Sequence, residues 1–536
     1  MTDSPSTVPA PGAVPTPEHG ADELALDFGL PEAGSLPEYE GVTEFRVERD
    51  SLGEVKVPAN AYWGINTARA LANFSISRRQ ISVYPDFIVA YAQVKQAAAR
   101  ANREIGVLDA ERADLIERAC QDIIDGRLHD QFVVGVIQGG AGTSTNMNFN
   151  EVIANRALEL AGREFGDYAF ISPNDHVNRS QSTNDTYPSA VKVALVHSTR
   201  RLVDEFTLLQ NSFRLKGREF RDILKIGRTQ LQDAVPMTLG QEFHGFSTTV
   251  GEDIQRLEDV QPLLLELNLG ATAIGTGITA DPAYAPAVIK HLRDITGYRE
   301  LQTAGDLIEA TSDTGVFMSL SGAVKRTAMK LSKICNDLRL LSSGPQAGLG
   351  EINLPAKQAG SSIMPGKVNP VIPEAVNQVA FVIAGADVTI SFASEAGQLQ
   401  LNAFEPVMLH TLMQNEAWLR RAARTLRINC IDGITANADK LRAQVESSVG
   451  VVTALNPYIG YSAASKLAKE ALATGRSVAE LAVEHGLLSA EQVAAILVPA
   501  NVANVSTATS PLPVVSPEEI EQLTRRLDAA DARDRS

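Results

Sequence analysis

The sequence predicts a mainly α protein organised around a long central helical bundle. Three apolar stripes carry that expectation. Leu195, Leu202, Phe206, Leu209 and Phe213 fall on one helical face, and Ile254, Leu257, Leu264 and Leu267 on another. Leu320, Val324, Leu331, Ile334, Leu338 and Leu341 form a third stripe, long for a globular helix. A one-sided helix must bury its apolar face, and long stripes bury against one another, which gives a bundle. Strand-like alternation is sparse, and Val55-Lys56-Val57 is the best short example.

The ends of the chain read differently. Residues 1–42 are rich in Pro, Gly, Ala and acid and bury too little to offset chain entropy, so a disordered N-terminal tail is expected. From 517 the sequence is charged (Pro517-Glu518-Glu519, Arg525-Arg526, Asp531-Ala532-Arg533-Asp534), which reads as a frayed helix and a charged C-terminal tail over 517–536.

Bulk properties narrow the function. With 536 residues the chain has room for several domains. Its 48 basic and 64 acidic residues give a formal charge of −16, which weighs against nucleic acid or an anionic membrane as partner. An anionic substrate would need positive potential built locally into its site. Cys120, Cys335 and Cys430 lie far apart, and the eight histidines show no H-x-x-x-H spacing, so neither a disulfide framework nor a metal site is expected, and no cofactor. The N-terminus lacks the features of a secretory signal. No apolar run reaches the roughly 20 residues that span a bilayer. A cytoplasmic location follows as the expectation.

Four polar or glycine-rich stretches interrupt the helical pattern, where chemistry usually resides. The most informative is Gly360-Ser361-Ser362-Ile363-Met364-Pro365-Gly366-Lys367-Val368-Asn369-Pro370. Its glycines permit unusual backbone angles, its serines offer hydroxyls and backbone donors, and Lys367 offers a positive charge that Asn369 can orient. That set suits a carboxylate gaining charge. It is not a P-loop, because Gly360 and Gly366 enclose five residues and Val368 follows the lysine. The other stretches are Gly142-Thr143-Ser144-Thr145-Asn146-Met147-Asn148, then Asn174 through Asn178 leading into Ser180-Gln181-Ser182-Thr183-Asn184-Asp185, then Gly227-Arg228-Thr229-Gln230-Leu231-Gln232-Asp233-Ala234.

Taken together and in this order, these stretches resemble the signature regions of the aspartase/fumarase superfamily of lyases, over about residues 45–510. Leu267 to Gly277 and Ser332 to Pro345 resemble the aspartase branch. Gln230 stands where class II fumarases typically carry His, and this weighs against the main alternative, a fumarase acting on malate. A non-catalytic protein that kept the fold is a further alternative, against which the intact Ser361, Lys367 and Asn369 argue.

The resemblance implies a three-domain, aspartase/fumarase-like fold (43–184, 185–440, 441–516) whose central helices form a tetrameric twenty-helix core. It implies a homotetramer with active sites shared among three subunits, Thr143, Ser182–Asn184 with Thr229, and Ser361 coming from different chains. The implied reaction is anti elimination of ammonia from L-aspartate to give fumarate through an aci-carboxylate, with Ser361 as base on a mobile loop. Thr143, Ser182, Thr183 and Ser362 would grip the β-carboxylate. Asn184, Thr229 and Gln230 would lie near the amino group and α-carboxylate, and Lys367 and Asn369 would complete that clamp. Glu374 matches a supporting acid or a solvated helix face. Thr143, Ser182 and Thr183 also fit plain helix caps, and the lone His176 reads as structural.

Overall fold

The computed structural model describes residues 42–360, 363–364, 366–502 and 515–533. The expected disordered tail therefore lies outside the described residues except for its last position, as do Ser361 and Ser362. Val55 and Val57 lie in β2 (Gly53–Pro58), which pairs antiparallel with β1 (Phe45–Asp50). β1 gave no strand signal because it alternates Arg46 and Glu48 with an exposed Val47. Four helices complete the N-terminal region: α1 (Ile65–Asn73), α2 (Pro85–Glu104), α3 (Ala110–Ile124) and α4 (Thr143–Leu160).

The centre opens with α5 (Thr183–Glu219), followed by the hairpin β3 (Leu224–Thr229) and β4 (Gln232–Thr238), then α6 (Leu239–Leu264). Short elements follow: β5 (Glu266–Leu267), α7 (Tyr284–Thr296), β6 (Gln302–Thr303) and α8 (Leu307–Ser312). Then come α9 (Gly315–Leu341), β7 (Ile352–Asn353), α10 (Val371–Glu395), α11 (Glu405–Asn429) and β8 (Thr435–Ala436). The long helices α5, α6, α9, α10 and α11 pack into a five-helix bundle. The first and third stripes are buried faces of α5 and α9. The second stripe is shorter than expected. α6 ends at Leu264, just past Pro262, and Leu267 reaches the core from β5, which pairs parallel with β6.

Side-chain contacts fix the directions of these helices. Asn268, just past α6, donates to the Asn184 carbonyl at the start of α5 and to Thr311 just before α9. α6 is therefore antiparallel to α5, and α9 starts at the same end as α5. The hydroxyls of Thr314 and Ser394 lie 2.7 Å apart, so α10 returns to that end. At the opposite end Lys216 near the C-terminus of α5 donates to the Ile434 carbonyl, 2.8 Å away. The β3–β4 hairpin and the loops between α9 and α10 are also at this far end, because Glu351 binds Lys225 of β3. With 37 residues, α5 separates the two ends by about 55 Å.

α10 departs from the expectation that no segment suits a bilayer. Among the described residues it is the one helix long and apolar enough to cross a membrane. Glu374, Asp387 and Glu395 interrupt its apolar runs, so it does not read as a continuous span. Asp387 accepts from Ser321 and Lys325 of α9, as befits a bundle helix. Phe381 and Phe392 on its other face are 60% and 70% exposed.

The C-terminal helices α12 (Ala438–Ser447), α13 (Val452–Ile459), α14 (Tyr461–Thr474), α15 (Val478–Glu484), α16 (Ala490–Ile496) and α17 (Pro499–Val502) follow. Leu455, Leu467, Val478 and Leu481 give this region its own small core. The last segment, expected as a frayed helix and charged tail, is instead a docked helix, α18 (Pro517–Arg533). Leu523 and Leu527 pack on Leu208 of α5, and Asp531 accepts from Arg420 and Arg424 of α11. Its apolar face, Ile520, Leu523, Leu527 and Ala530, is narrow, and the charges around it hid it in the sequence.

α11 carries two buried carboxyls into the bundle. Burial pushes Glu405 up to about 8 and Glu416, which accepts from Thr199, up to about 7, from an ordinary 4.5. Between those values and the ordinary one the folded chain holds protons that the unfolded chain has released, so these groups lower stability as pH rises. Glu405→Gln should therefore flatten the fall in Tm between about pH 5 and 8 relative to wild type, read by calorimetry. An unchanged slope would contradict the buried, protonated state.

Candidate active site

Two helix N-termini meet at the start of the bundle. Thr143 opens α4 behind Gly142, whose φ is +88°, and a Cβ there would fall 2.2 Å from the Tyr187 ring. The Thr143 hydroxyl donates to the Gly140 carbonyl at 2.7 Å. Ser182 caps α5 by accepting from the Asn184 N–H, and Asp185 reciprocates by accepting from the Ser182 N–H at 3.0 Å. Ser182 is thus a genuine cap, and capping leaves the helix terminus as a centre of partial positive charge. Thr183 Oγ1 accepts from Asn146 Nδ2 at 3.0 Å, which leaves the threonine O–H proton to donate elsewhere. Asn184 Nδ2 donates to the Ala273 carbonyl at 2.7 Å.

Lys95 backs this cluster from α2. It is fully buried and donates to Asn146 Oδ1 (2.7 Å), Asn178 Oδ1 (3.1 Å) and Gln181 Oε1 (2.9 Å). Burial holds its amine down at about 7. Sequence reasoning missed Lys95 and the amides around it. The available signal was a lysine in the stretch Val94 to Ala99, which is otherwise apolar but for Gln96. His176 is structural, its Nδ1 accepting from the Ser172 N–H at 2.8 Å in the single helical turn Pro173–Val177.

Thr229 and Gln230 lie at the tip of the β3–β4 hairpin. Thr229 pairs with Gln232, and the two turn residues, Gln230 and Leu231, have φ of +52° and +63°. That is the shape favoured between two strands, but without the glycine or asparagine that adopts it without strain. The base of the hairpin is firm. Glu351, with no exposed surface, binds Lys225 at 2.6 Å and also Arg228, and Lys225 reaches Glu242 at 2.5 Å.

Lys367 and Asn369 belong to a loop closed at its neck. Gly360 N–H donates to the Lys367 carbonyl and Asn369 Nδ2 to the Gly360 carbonyl, both at 2.8 Å. A Cβ on Gly360 would lie 2.6 Å from that Lys367 oxygen, so the neck requires glycine. Asn369 therefore ties the loop shut and does not orient the lysine amine, as its position had led us to expect. Lys367 and Asn369 line a cavity of about 1200 Å³ together with Arg339, Ser342, Asn437 and Lys440. Ser361 and Ser362 belong to this loop by sequence and lie outside the described residues.

One chain does not assemble these parts. Thr143, Ser182, Thr183 and Asn184 lie together, which corrects the expected grouping of Ser182–Asn184 with Thr229 apart from Thr143. Asn146, one turn into α4, bonds Thr183, whereas Thr229 lies beyond the far end of α5, about 55 Å away. Lys367 shares that far end, but Thr229 and Gln230 do not line its cavity.

Residues 53–385 match the family model described as Lyase, and residues 451–504 match the model described as Fumarase C C-terminus. The chain is 56% identical to an aspartate ammonia-lyase of Pseudomonas aeruginosa, covering 86% of this chain and 97% of the relative. It is 52% identical to an aspartate ammonia-lyase of Escherichia coli, covering 83% and 93%. A solved fumarate lyase:delta crystallin from Brucella melitensis, bound to cobalt, superposes with a TM-score of 0.83 at 54% identity, covering 86% of this chain and all of that one. A class II fumarase from Schistosoma mansoni gives a TM-score of 0.79 at 34% identity, covering 86% and 99%.

Glu351→Ala should lower stability by about 3–5 kcal/mol, because it takes the carboxylate from the largely buried Arg228 and leaves Lys225 with Glu242 alone. Denaturant unfolding monitored by circular dichroism tests this, and a loss under about 1 kcal/mol would mean that the hairpin is not anchored by charge.

Proposed function

We infer the reaction from one premise: the chain belongs to the aspartase/fumarase superfamily of lyases. It deaminates L-aspartate to fumarate and ammonia. One contrast carries the assignment: 52–56% identity to aspartate ammonia-lyases along most of the chain, against 34% to the class II fumarase. Gln230 at the hairpin tip supports the same choice. Ammonia leaves with its bonding electrons and needs no histidine to protonate it, whereas a departing hydroxide profits from an acid.

The difficult step is loss of the Cβ proton, since the resulting carbanion must spread its charge into the β-carboxylate. A site that binds the doubly charged aci-carboxylate more tightly than the carboxylate lowers that barrier. Ser182 and Thr183 supply hydroxyl donors at the N-terminus of α5, Thr143 stands beside them at the N-terminus of α4 with its hydroxyl turned to the Gly140 carbonyl until substrate arrives, Lys95 lies behind them, and Ser362 adds a donor from the loop. Ser361 takes the proton. Its hydroxyl needs nearby donors and positive charge to act as a base, and Lys367 on the same loop supplies charge. Asn184, Thr229 and Gln230 face the amino group and α-carboxylate, and Lys367, on a neck tied by Asn369, holds that carboxylate.

The assembly is a homotetramer in which three subunits share each site. The 55 Å span of α5 supports this, because the two ends of one bundle cannot meet across it. The open apolar face of α10 supports packing of one bundle on another, and so a twenty-helix core. The same reading divides the chain at about 184, 440 and 516. The three buried, free cysteines support a reducing, cytoplasmic compartment.

Absorbance of fumarate formed from L-aspartate, with L-malate in parallel, tests the substrate. Product from aspartate alone is expected. Product from malate alone would make this a fumarase despite Gln230. Ser361→Ala should cut kcat by at least about a thousandfold, more than the loss of a single oxyanion donor. Activity near wild type would remove Ser361 as the base. Thr183→Ala and Lys367→Ala should each be nearly inactive alone, and co-refolding the two should restore part of the activity. No recovery in mixed tetramers would contradict shared sites.

A further inference from the structure

The loop Asn268–Gly277 lies across the N-terminus of α5, and neither bundle packing nor the contacts above explain its shape. Asp185, with no exposed surface, holds it in place. One carboxylate oxygen accepts from the N–H groups of Gly270 (3.0 Å) and Thr272 (3.1 Å), and the other accepts from Ser182. Thr272 is β-branched yet has φ +56°, and its buried hydroxyl has no hydrogen-bond partner among the described residues. At Gly275, where φ is +100°, a Cβ would lie 2.4 Å from the Ile308 backbone nitrogen. The loop therefore admits one shape, kept against local strain.

What that shape offers the site is a single carbonyl. Ala273 O accepts from Asn184 Nδ2 at 2.7 Å. Only the NH₂ of an amide can donate to a carbonyl, so this contact fixes which way the Asn184 amide is turned. Asn184 Oδ1 is left facing away from the loop, with no protein partner among the described residues. It can accept a hydrogen bond from a positively charged N–H. An amide turned the other way would present a donor to a donor.

We propose that Asp185 and the Asn268–Gly277 loop are positioning elements for the substrate amine, holding Asn184 with its carbonyl oxygen toward the ammonium group. The proposal rests on the reading that the chain deaminates L-aspartate. Asp185 touches no substrate and acts through Asn184. Its loss should therefore weaken recognition of the amine and spare recognition of the two carboxylates.

The test compares KM and kcat for L-aspartate with the inhibition constant of succinate, which keeps both carboxylates and lacks the amine. Asp185→Asn keeps only one acceptor oxygen, so its NH₂ is set either against the N–H groups of Gly270 and Thr272 or against that of Ser182, and the tie between loop and helix is lost on one side. It should raise KM for aspartate about tenfold while the succinate constant stays within about twofold. Thr272→Gly accommodates the positive φ without strain and should keep the fold while loosening the loop, raising KM for aspartate alone by about threefold. If Asp185→Asn fails to fold, Thr272→Gly decides. Parallel changes for both ligands, or no change for either, overturn the proposal. A wild-type chain that turns over no aspartate overturns the functional reading itself, and this inference with it.

Discussion

Burial of α5 along its whole length is the constraint on which the rest of the structure depends. Its face from Leu195 to Phe213 is sealed by α6 and α11, so the helix cannot bend or break without exposing core. A rigid rod of 37 residues then fixes where everything else lies. Its N-terminus carries Ser182, Thr183 and Asn184, and the hairpin bearing Thr229 and Gln230 follows its other end. The two groups therefore stand at opposite ends of one chain's bundle.

The chemistry follows from how positive potential is built inside an acidic protein. A formal charge of −16 offers a dicarboxylate no long-range attraction, so the site depends on short-range sources. The N-termini of α4 and α5 contribute oriented N–H groups that need no counter-ion. Lys95 contributes a buried amine held by three amide oxygens, not by a carboxylate, so its charge is not cancelled by a bonded partner. A carboxylate arriving at Thr143 and Thr183 would favour the charged form of that amine, and an aci-carboxylate with two charges would favour it more. This is the differential stabilisation that an elimination through a carbanion requires.

Much of this was legible in the sequence, and the failures have physical causes. The long stripes of α5 and α9 read correctly because a 3.6-residue period sustained over many turns fits neither a strand nor a loop. The second stripe was overextended to Leu267, because a buried strand residue is as apolar as a buried helix residue and only Pro262 marked the change. β1 and α18 were hidden by charged residues that pack on their aliphatic stems or pair across elements. As candidate site residues, Thr143, Ser182, Thr183, Asn184, Thr229, Gln230, Lys367 and Asn369 were legible from motif order. Their grouping was not, because sequence order does not say which helix ends share a side of the bundle. The hydrogen bonds of Asn146 and Asn268 settle that. Lys95 and Asp185 were not legible as neighbours of these residues, because they reach them through amides and backbone N–H groups that leave no pattern of their own.

The strained positions also divide by purpose. Gly142, Gly275 and Gly360 stand where a Cβ would strike Tyr187, the Ile308 backbone or the Lys367 carbonyl, so packing alone accounts for them. Gln230, Leu231 and Thr272 adopt positive φ without being glycine, and packing does not account for these. Glycine at any of the three would relieve backbone strain. Gln230 stands at the hairpin tip, and Thr272 lies in the loop whose Ala273 carbonyl accepts from Asn184. Arg78, Leu128, Ala141, Ser180, Thr279 and Leu399 adopt positive φ as well, so this backbone region alone does not single out a site. Thr272 is held in it by the buried Asp185, which accepts from its N–H.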